Sequence, residues 1–498
     1  MFDILSVAFS KVTRFVQHLP KPRWLAIFFL LCALPTGLGC ALLTPVGMFP
    51  DEMAHTDRAD GLRYGQLLGF QPSPWVPNVV NRGVMVNTSI FNVTISAETR
   101  AAYPDKPVPP SVRRQAEAIP WVKSKLYQPT QMVEYFPTFY IPAALGLFVG
   151  EKIGLSPLHT FYLGRVASLL SYLAMGTAAL ALARFGAPLL FAVLTLPTAI
   201  NLAGSYNQDG LIVACCALAA ALLTRYWKRP SFSWFAALVL LIFVVSSKLP
   251  YGPLLLLCLA PVLAKCVWRR AAIILLACVA PGLWFFHIVH SGFINYLTPM
   301  SYHPGPLWPG PKNVVLHHIA PRENIKVLLA HPADTLLLPI VTLIKLWPGT
   351  WRSIVGMISC DNVWISPWEY PALAFALGGA ALASLYDWRA GWRATDSILA
   401  SLAVFAAFIG MELSLYLTAT LAGYPIILGI HGRYFLPLMP FFIFILPSLG
   451  NLLARLPSAA RLSRIAPGWF CVPAVAIALI NAYALPAYIF GLFQMPGP

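Results

Sequence analysis

The chain has 498 residues, 58% hydrophobic and only 10% charged, with a formal net charge of +16. Soluble domains carry about 25% charged residues, so a water-soluble enzyme is excluded and lipid is the expected solvent. The positive balance admits nucleic-acid binding only until the charges are placed along the chain.

A basic leader with Lys11, Arg14, Lys21 and Arg23 precedes the first apolar run, 24–43. That run reads as an uncleaved first span, because no small-residue cleavage site is evident and more spans follow. Further apolar runs fall at 158–183, 186–204, 209–226, 232–249, 251–267, 271–290, 369–386, 396–418, 432–453 and 468–490. Backbone polar groups cannot stay unpaired in hydrocarbon, so each span is expected to be helical. The expected fold is an all-α integral membrane protein, one polytopic domain over 1–498 with about eleven transmembrane helices. Two shorter apolar stretches, Phe136 to Val149 and Thr335 to Trp347, are expected to lie along the membrane or re-enter it.

With the N-terminus in the cytoplasm, the inner segments hold Lys11, Arg14, Lys21, Arg23, Arg184, Arg225, Lys228, Arg229, Lys265, Arg269, Arg270, Arg389, Arg393, Arg455, Arg461 and Arg464. They hold three acids, Asp3, Asp387 and Asp396. This asymmetry follows the positive-inside rule and accounts for most of the charge without nucleic acid. Two large outer regions result, 44–157 and 291–368. The first contains a polar stretch from Asn78 to Ser96 with strand-like alternation. The nine cysteines sit mostly in apolar runs, with only Cys360 in an outer loop, and point neither to a disulfide framework nor to a metal site. Two matches to the glycosylation acceptor pattern, at Asn87 and Asn92, are read as chance.

Directly after the first span comes Pro50-Asp51-Glu52-Met53-Ala54-His55-Thr56-Asp57-Arg58. Two adjacent acids, a histidine and an arginine form a candidate acid/base or metal site. In a helix Glu52, His55 and Arg58 share a face. The same residues also read as an acidic cap on a juxtamembrane helix. Arg165, Asp209, Lys248 and Arg433 fall near outer ends of spans, where charge is costly and marks function. Each has a plainer reading: Arg165 and Lys248 as snorkelling side chains, Asp209 as a helix cap. Arg433, within His431-Gly432-Arg433-Tyr434, is placed to hold a phosphate. Tyr206, His431, Tyr434 and Asp361 are further substrate-binding candidates, Asp361 with a loop cap as its alternative. Glu412, mid-span, reads as a proton or ion group or as half of a buried pair.

The ordered set Pro50-Asp51-Glu52-x-x-His55, Tyr135-Phe136-Pro137-Thr138-Phe139-Tyr140, Phe161-Tyr162-Leu163-Gly164-Arg165, Ser205-Tyr206-Asn207-Gln208-Asp209-Gly210, Ser247-Lys248-Leu249-Pro250-Tyr251 and His431-Gly432-Arg433-Tyr434 resembles a bacterial family of multi-pass membrane proteins known only as a domain of unknown function. That family is similar to the GT-C glycosyltransferases, which include protein mannosyltransferases and the aminoarabinose transferase of lipid A. The resemblance covers most of the chain and implies a GT-C-like helix bundle. It implies an acid in the first outer loop, matching Asp51 or Glu52, and a second matching Asp209. It also implies a polyprenyl-phosphate sugar donor and transfer with inversion. Tyr135-Phe136-Pro137 departs from the His-Pro-Pro of several GT-C relatives.

The chemistry suits the residues. An acceptor hydroxyl needs a base as it attacks, a role for Asp51 with Glu52 or His55 orienting it. Lys248 and Arg433, with Arg165 and Arg58, are the candidate cations for the departing phosphate. A divalent cation, Mg or Mn, at Asp51 and Glu52 is a further option, though adjacent acids make a poor cage. The expected setting is a bacterial inner membrane, the acceptor being an envelope glycan, lipid or protein on the periplasmic side. Rival readings are a secondary transporter, a polysaccharide polymerase or ligase, and a non-catalytic assembly partner. The transporter reading draws on Glu412 but lacks repeat halves.

Overall fold

In the computed structural model the described residues are 16–70, 82–96, 109–225, 231–290, 301–311, 313–317, 319–359, 363–385, 393–453 and 466–494. Asp361 lies outside them, as do Cys360, Lys11, Arg14, Lys228, Arg229, Arg389, Arg455, Arg461, Arg464, Asp3 and Asp387 of the charge assignment.

The first span is α1 (Pro22–Leu43), opened by a proline whose missing N–H is not needed there. A tight loop leads into the short α2 (Glu52–Arg63), whose buried face is made mostly of polar residues. Strand β1 (Gly83–Asn87) runs into α3 (Thr88–Ser96), α4 (Pro110–Glu117) follows, and β2 (Lys125–Pro129) closes an antiparallel ribbon on β1. The alternation read over Asn78 to Ser96 therefore holds only for β1 among the described residues. Beyond it, Ile90 and Val93 are buried three residues apart, a helical spacing that a period-two reading misassigns. Among the described residues the fold is helical but for this ribbon and three isolated β-bridges.

A 3-10 turn, Pro137–Tyr140, leads into α5 (Ile141–Lys152), which folds back on α6 (Pro157–Leu182). Gly146 on α5 meets Gly164 on α6, a small-residue contact that lets the backbones close up. Twelve residues make a helix of about 18 Å, short of a bilayer core of about 30 Å. Next come α7 (Ala187–Leu194), α8 (Pro197–Ala203), α9 (Gln208–Thr224) and α10 (Phe232–Ser247), then a 3-10 segment, Leu249–Leu259. The second half has α11 (Val267–Ala277), α12 (Val279–His290), α13 (Pro321–Ala330), α14 (Asp334–Val355), α15 (Glu369–Leu385) and α16 (Ala394–Thr418). Two 3-10 segments, Gly432–Tyr434 and Leu436–Phe444, precede α17 (Leu446–Leu453) and α18 (Pro467–Phe493). In the bundle α1 packs on α6 and α18, and α9 on α6 and α10.

Among the described residues five helices are long and apolar enough to cross a membrane: α1, α6, the run Val267–His290, α16 and α18. The bent pairs α8–α9 (115°) and α13–α14 (106°) raise this to seven if each is one span. The expected eleven is not reached. Of the expected spans, 186–204 is divided between α7 and α8, and α10, Leu249–Leu259, α15 and Gly432–Phe444 are apolar helices of only 10–17 residues, while the α13–α14 pair was not among the expected spans. In Leu249–Leu259 and Leu436–Phe444, Pro253 and Pro440 sit inside the helix, where a proline cannot continue an α-helical ladder. The stretch Thr335 to Trp347 belongs to a longer helix than expected, since α14 continues through Pro339 and Pro348 to Val355.

One buried ion pair ties the loop after α1 to the bundle. Arg165 on α6 has no exposed side-chain surface, and Nε and Nη2 donate to the two Glu52 oxygens at 2.7 and 2.6 Å. Its Nη1 donates to the Ala41 and Thr44 carbonyls and Nη2 to that of Pro45, at 3.0, 2.6 and 2.8 Å. These carbonyls belong to the C-terminal end of α1, which has no helical N–H left to receive. Glu52→Ala should destabilise the fold by about 3–5 kcal/mol, because it strands a buried guanidinium. Melting of the purified protein in detergent checks this, with Glu323→Ala as the control. Glu323 pairs with the 61% exposed Lys326, and its loss should shift the melt by about 1 kcal/mol or less.

Candidate functional site

Four charged side chains from four parts of the chain meet at one place. Asp51 stands at the N-terminus of α2, Asp209 in the first turn of α9, Lys248 at the C-terminus of α10 and Arg433 in the 3-10 turn Gly432–Tyr434. Because α9 and α10 are packed neighbours joined in sequence, the start of one lies beside the end of the other. An acid at a helix start and a cation at a helix end both complement the helix dipoles.

The four form a continuous chain of alternating charge. Arg433 Nη2 donates to Asp51 Oδ2 at 2.7 Å. Arg433 Nε lies 3.6 Å from Asp209 Oδ2, and Lys248 Nζ donates to Asp209 Oδ1 at 2.5 Å. Three are shielded, with side-chain exposures of 7% for Arg433, 4% for Asp209 and 14% for Lys248, while Asp51 is 44% exposed. Asp51 is thus the member that an incoming molecule meets. Burial pushes its carboxyl up, but Arg433, His55 and His431 outweigh that and hold it below its ordinary value. It remains a carboxylate at neutral pH.

Asp51 is one of two non-glycine residues at positive φ, at 55°, among the described residues. A left-handed backbone costs an L residue about 1–2 kcal/mol, less for Asp, and such strain clusters at functional positions. The conformation is imposed from both sides. Pro50 O accepts from Asn207 Nδ2 at 3.3 Å, and Gly47 N donates to Glu52 Oε2 at 2.9 Å. Ser359 Oγ donates to Met48 O, and Ser359 exchanges hydrogen bonds with the Asn201 amide, so the segment after α14 is pinned to the loop after α1 and to α8. Arg433 is placed by Gly432, whose N–H donates to Ser353 Oγ at 2.6 Å. A Cβ on Gly432 would collide with the Ile354 backbone.

Aromatic rings surround the cations. Lys248 Nζ lies 4.7 Å from the Tyr434 ring centre and 5.8 Å from that of Tyr135, while Arg433 lies 5.2 Å from Tyr434. Tyr434 is held by its carbonyl, which accepts from Tyr251 Oη, and His431 meets its ring edge-on at 5.8 Å. His55, one turn beyond Asp51, is buried and bonded through Nδ1 to Tyr140 Oη at 2.7 Å. Burial drives its pKa down to about 4 despite Asp51 and Asp209, so the ring is neutral.

Lys248, Tyr135 and Tyr434 also line a cavity of about 440 Å³. Its other walls are mostly apolar and come from α10, α12, α13 and α16, among them Trp284, Ile325 and Leu415.

Other expected site residues sit elsewhere. Glu52 and Arg165 are consumed by their mutual pair behind the loop. Arg58 is fully buried and donates to the carbonyls of Gln66, Leu67 and Tyr135. Arg165 and Arg58, expected to bind phosphate, spend their donors on backbone carbonyls and, for Arg165, on the Glu52 carboxylate. Tyr206 is also buried, its Oη donating to Phe161 O at 2.8 Å. Glu52 is not free to join Asp51 around a cation, and among the described residues no group of three or more His, Cys, Asp and Glu is arranged for a metal. Sequence reasoning missed Tyr140 and Asn207, although both lie inside the quoted motifs. The left-handed Asp51 yields a direct test. Asp51→Gly should melt higher than Asp51→Ala, by about 1 kcal/mol, since both lose the Arg433 pair but only glycine adopts positive φ freely.

No curated protein and no solved structure matches the chain. A family model described as "Predicted membrane protein (DUF2142)" matches residues 34–442, most of its length. The chain therefore belongs to this family of predicted membrane proteins.

Proposed function

We propose that the protein is a membrane glycosyltransferase that moves a sugar from a polyprenyl-phosphate donor to a periplasmic-side envelope acceptor, with inversion. One observation carries this reading: a paired Asp51 and Arg433, joined through Asp209 to Lys248, stand beside an apolar-walled cavity that shares Lys248 and Tyr434 with them. A lipid phosphate needs both features, cations for its head and apolar walls for its chain. The similarity of the sequence motifs to GT-C enzymes supports the same reading.

In this scheme Asp51 takes the proton of the acceptor hydroxyl as its oxygen attacks the anomeric carbon. The bond from that carbon to the phosphate oxygen breaks, and the electron pair leaves with the lipid phosphate. Lys248 and Arg433 stabilise the charge on that phosphate, with Asp209 keeping both cations in place. Single displacement inverts the carbon, because the acceptor oxygen attacks it from the side opposite the departing phosphate.

Glu412 favours a second reading, a proton-coupled transporter. It is fully buried in α16, and neither carboxyl oxygen has a hydrogen-bond partner among the described residues. Uptake driven by a pH gradient in proteoliposomes, abolished by Glu412→Gln, would select it.

The transferase reading is tested with a radiolabelled polyprenyl-phosphate sugar and reconstituted protein. Asp51→Asn should keep donor binding and lose about 10²–10⁴-fold in transfer rate. Arg433→Ala should weaken donor binding as well as turnover. Full transfer by a folded Asp51→Asn protein sinks the assignment of the base. The pH profile is a separate check. In the free enzyme Asp51 lies below its ordinary value and His55 at about 4. The acid limb of kcat/KM should accordingly lie at or below about pH 4, where first His55 and then Asp51 take up protons.

A further inference from the structure

We infer that Tyr140 fixes His55 as a neutral imidazole whose Nε2–H donates a hydrogen bond to a hydroxyl oxygen of the transferred sugar. This rests on the glycosyltransferase reading and assigns Tyr140 as a positioning residue.

Both side chains are buried, with 3% exposure for His55 and none for Tyr140, and the rings stack with centroids 5.7 Å apart. Their one hydrogen bond, Nδ1 to Oη, admits two proton arrangements. If Nδ1–H donated to the phenol oxygen, the buried phenol O–H would need a second acceptor, and among the described residues it has none. If the phenol O–H donates to Nδ1, the fully enclosed phenol proton is satisfied, and the unpaired proton moves to the imidazole, the less enclosed of the two side chains. Burial keeps the phenol protonated, so it remains a donor. The imidazole proton then resides on Nε2, for which the described residues offer no partner either.

What Nε2–H meets follows from its neighbours. His55 N donates to Asp51 O, so the ring stands one turn from the base. The charged groups acting on it are Asp51 of its own loop, Asp209 of α9, Arg433 of the 3-10 turn and Lys248 of α10. Those four already pair among themselves, two negative with two positive. A phosphate finds its counter-charge in Lys248 and Arg433. A neutral N–H beside the base suits an uncharged oxygen, and a sugar held between base and phosphate carries hydroxyls there.

The experiment has two arms. The first is nitrogen NMR of protein labelled with ¹⁵N-histidine, with His55→Gln to assign the signal. The expected His55 species at pH 7 is neutral and protonated on Nε2, shifting to mixed tautomers in Tyr140→Phe. A ring protonated on Nδ1, or an imidazolium, overturns the inference. The second arm uses polyprenyl-phosphate sugars lacking single hydroxyls. One of them should react roughly tenfold more slowly with the wild type, yet show no further loss in His55→Ala. Equal losses for every such donor in the two proteins overturn the contact. Transfer by a wild type with the wrong tautomer sinks this inference alone. No transfer at all removes the sugar contact together with the glycosyltransferase reading.

Discussion

Arg165 is the constraint from which the site follows. A guanidinium with no exposed surface must find acceptors for its donors. It finds them in the end of α1 and in Glu52. That arrangement forces the chain to leave α1, turn within a few residues and start α2 at a fixed height. Asp51 is the residue left between the anchored turn and the anchored helix, and its left-handed backbone is the geometric remainder. The adjacent acids Asp51 and Glu52 therefore divide the work. Glu52 is locked inside to hold the loop, and Asp51 is thereby turned outward to the open side.

The other three charges come from the same logic at helix ends. Within an apolar bundle the cheapest places for charge are the starts and ends of helices, where backbone dipoles favour one sign and water is near. The break between α8 and α9 leaves the start of α9 without a preceding helical turn, and Asn207 caps it by accepting from Asp209 N. The return through α10 brings Lys248 to the same level. Arg433 enters on a 3-10 turn that only glycine at 432 lets approach α14 closely. Polar groups gather here because the apolar packing excludes them from elsewhere.

The membrane class, the existence of most apolar helices and the choice of Asp51, Asp209, Lys248 and Arg433 as site candidates were legible in the sequence. These residues could be singled out because charges beside apolar runs fall at helix ends, and the structure shows that they pair. Span number was not legible, because 3-10 segments and broken pairs carry the same hydropathy as straight helices and differ only in backbone path. Nor could the division between Arg165 and Arg433 be read: both are arginines beside the same loop. Which one anchors the loop and which one pairs with Asp51 depends on a 113-residue separation closing onto Glu52. The Tyr140–His55 bond likewise spans 85 residues and is invisible to any local pattern.

Charge balance gives the arrangement its last consequence. Asp51, Asp209, Lys248 and Arg433 sum to zero, so the unliganded site carries no uncompensated charge into a medium that tolerates none. Under the glycosyltransferase reading, a donor phosphate adds negative charge and competes with Asp51 for Arg433. Asp51 is the weaker claimant, being 44% exposed, whereas Asp209 is 4% exposed and keeps its contact with Lys248. Arrival of the donor then loosens Asp51 from its partner while Asp209 still holds the cations. The carboxylate is released as a base only when there is a sugar to transfer, and the neutral His55 beside it adds no charge that would hold it back.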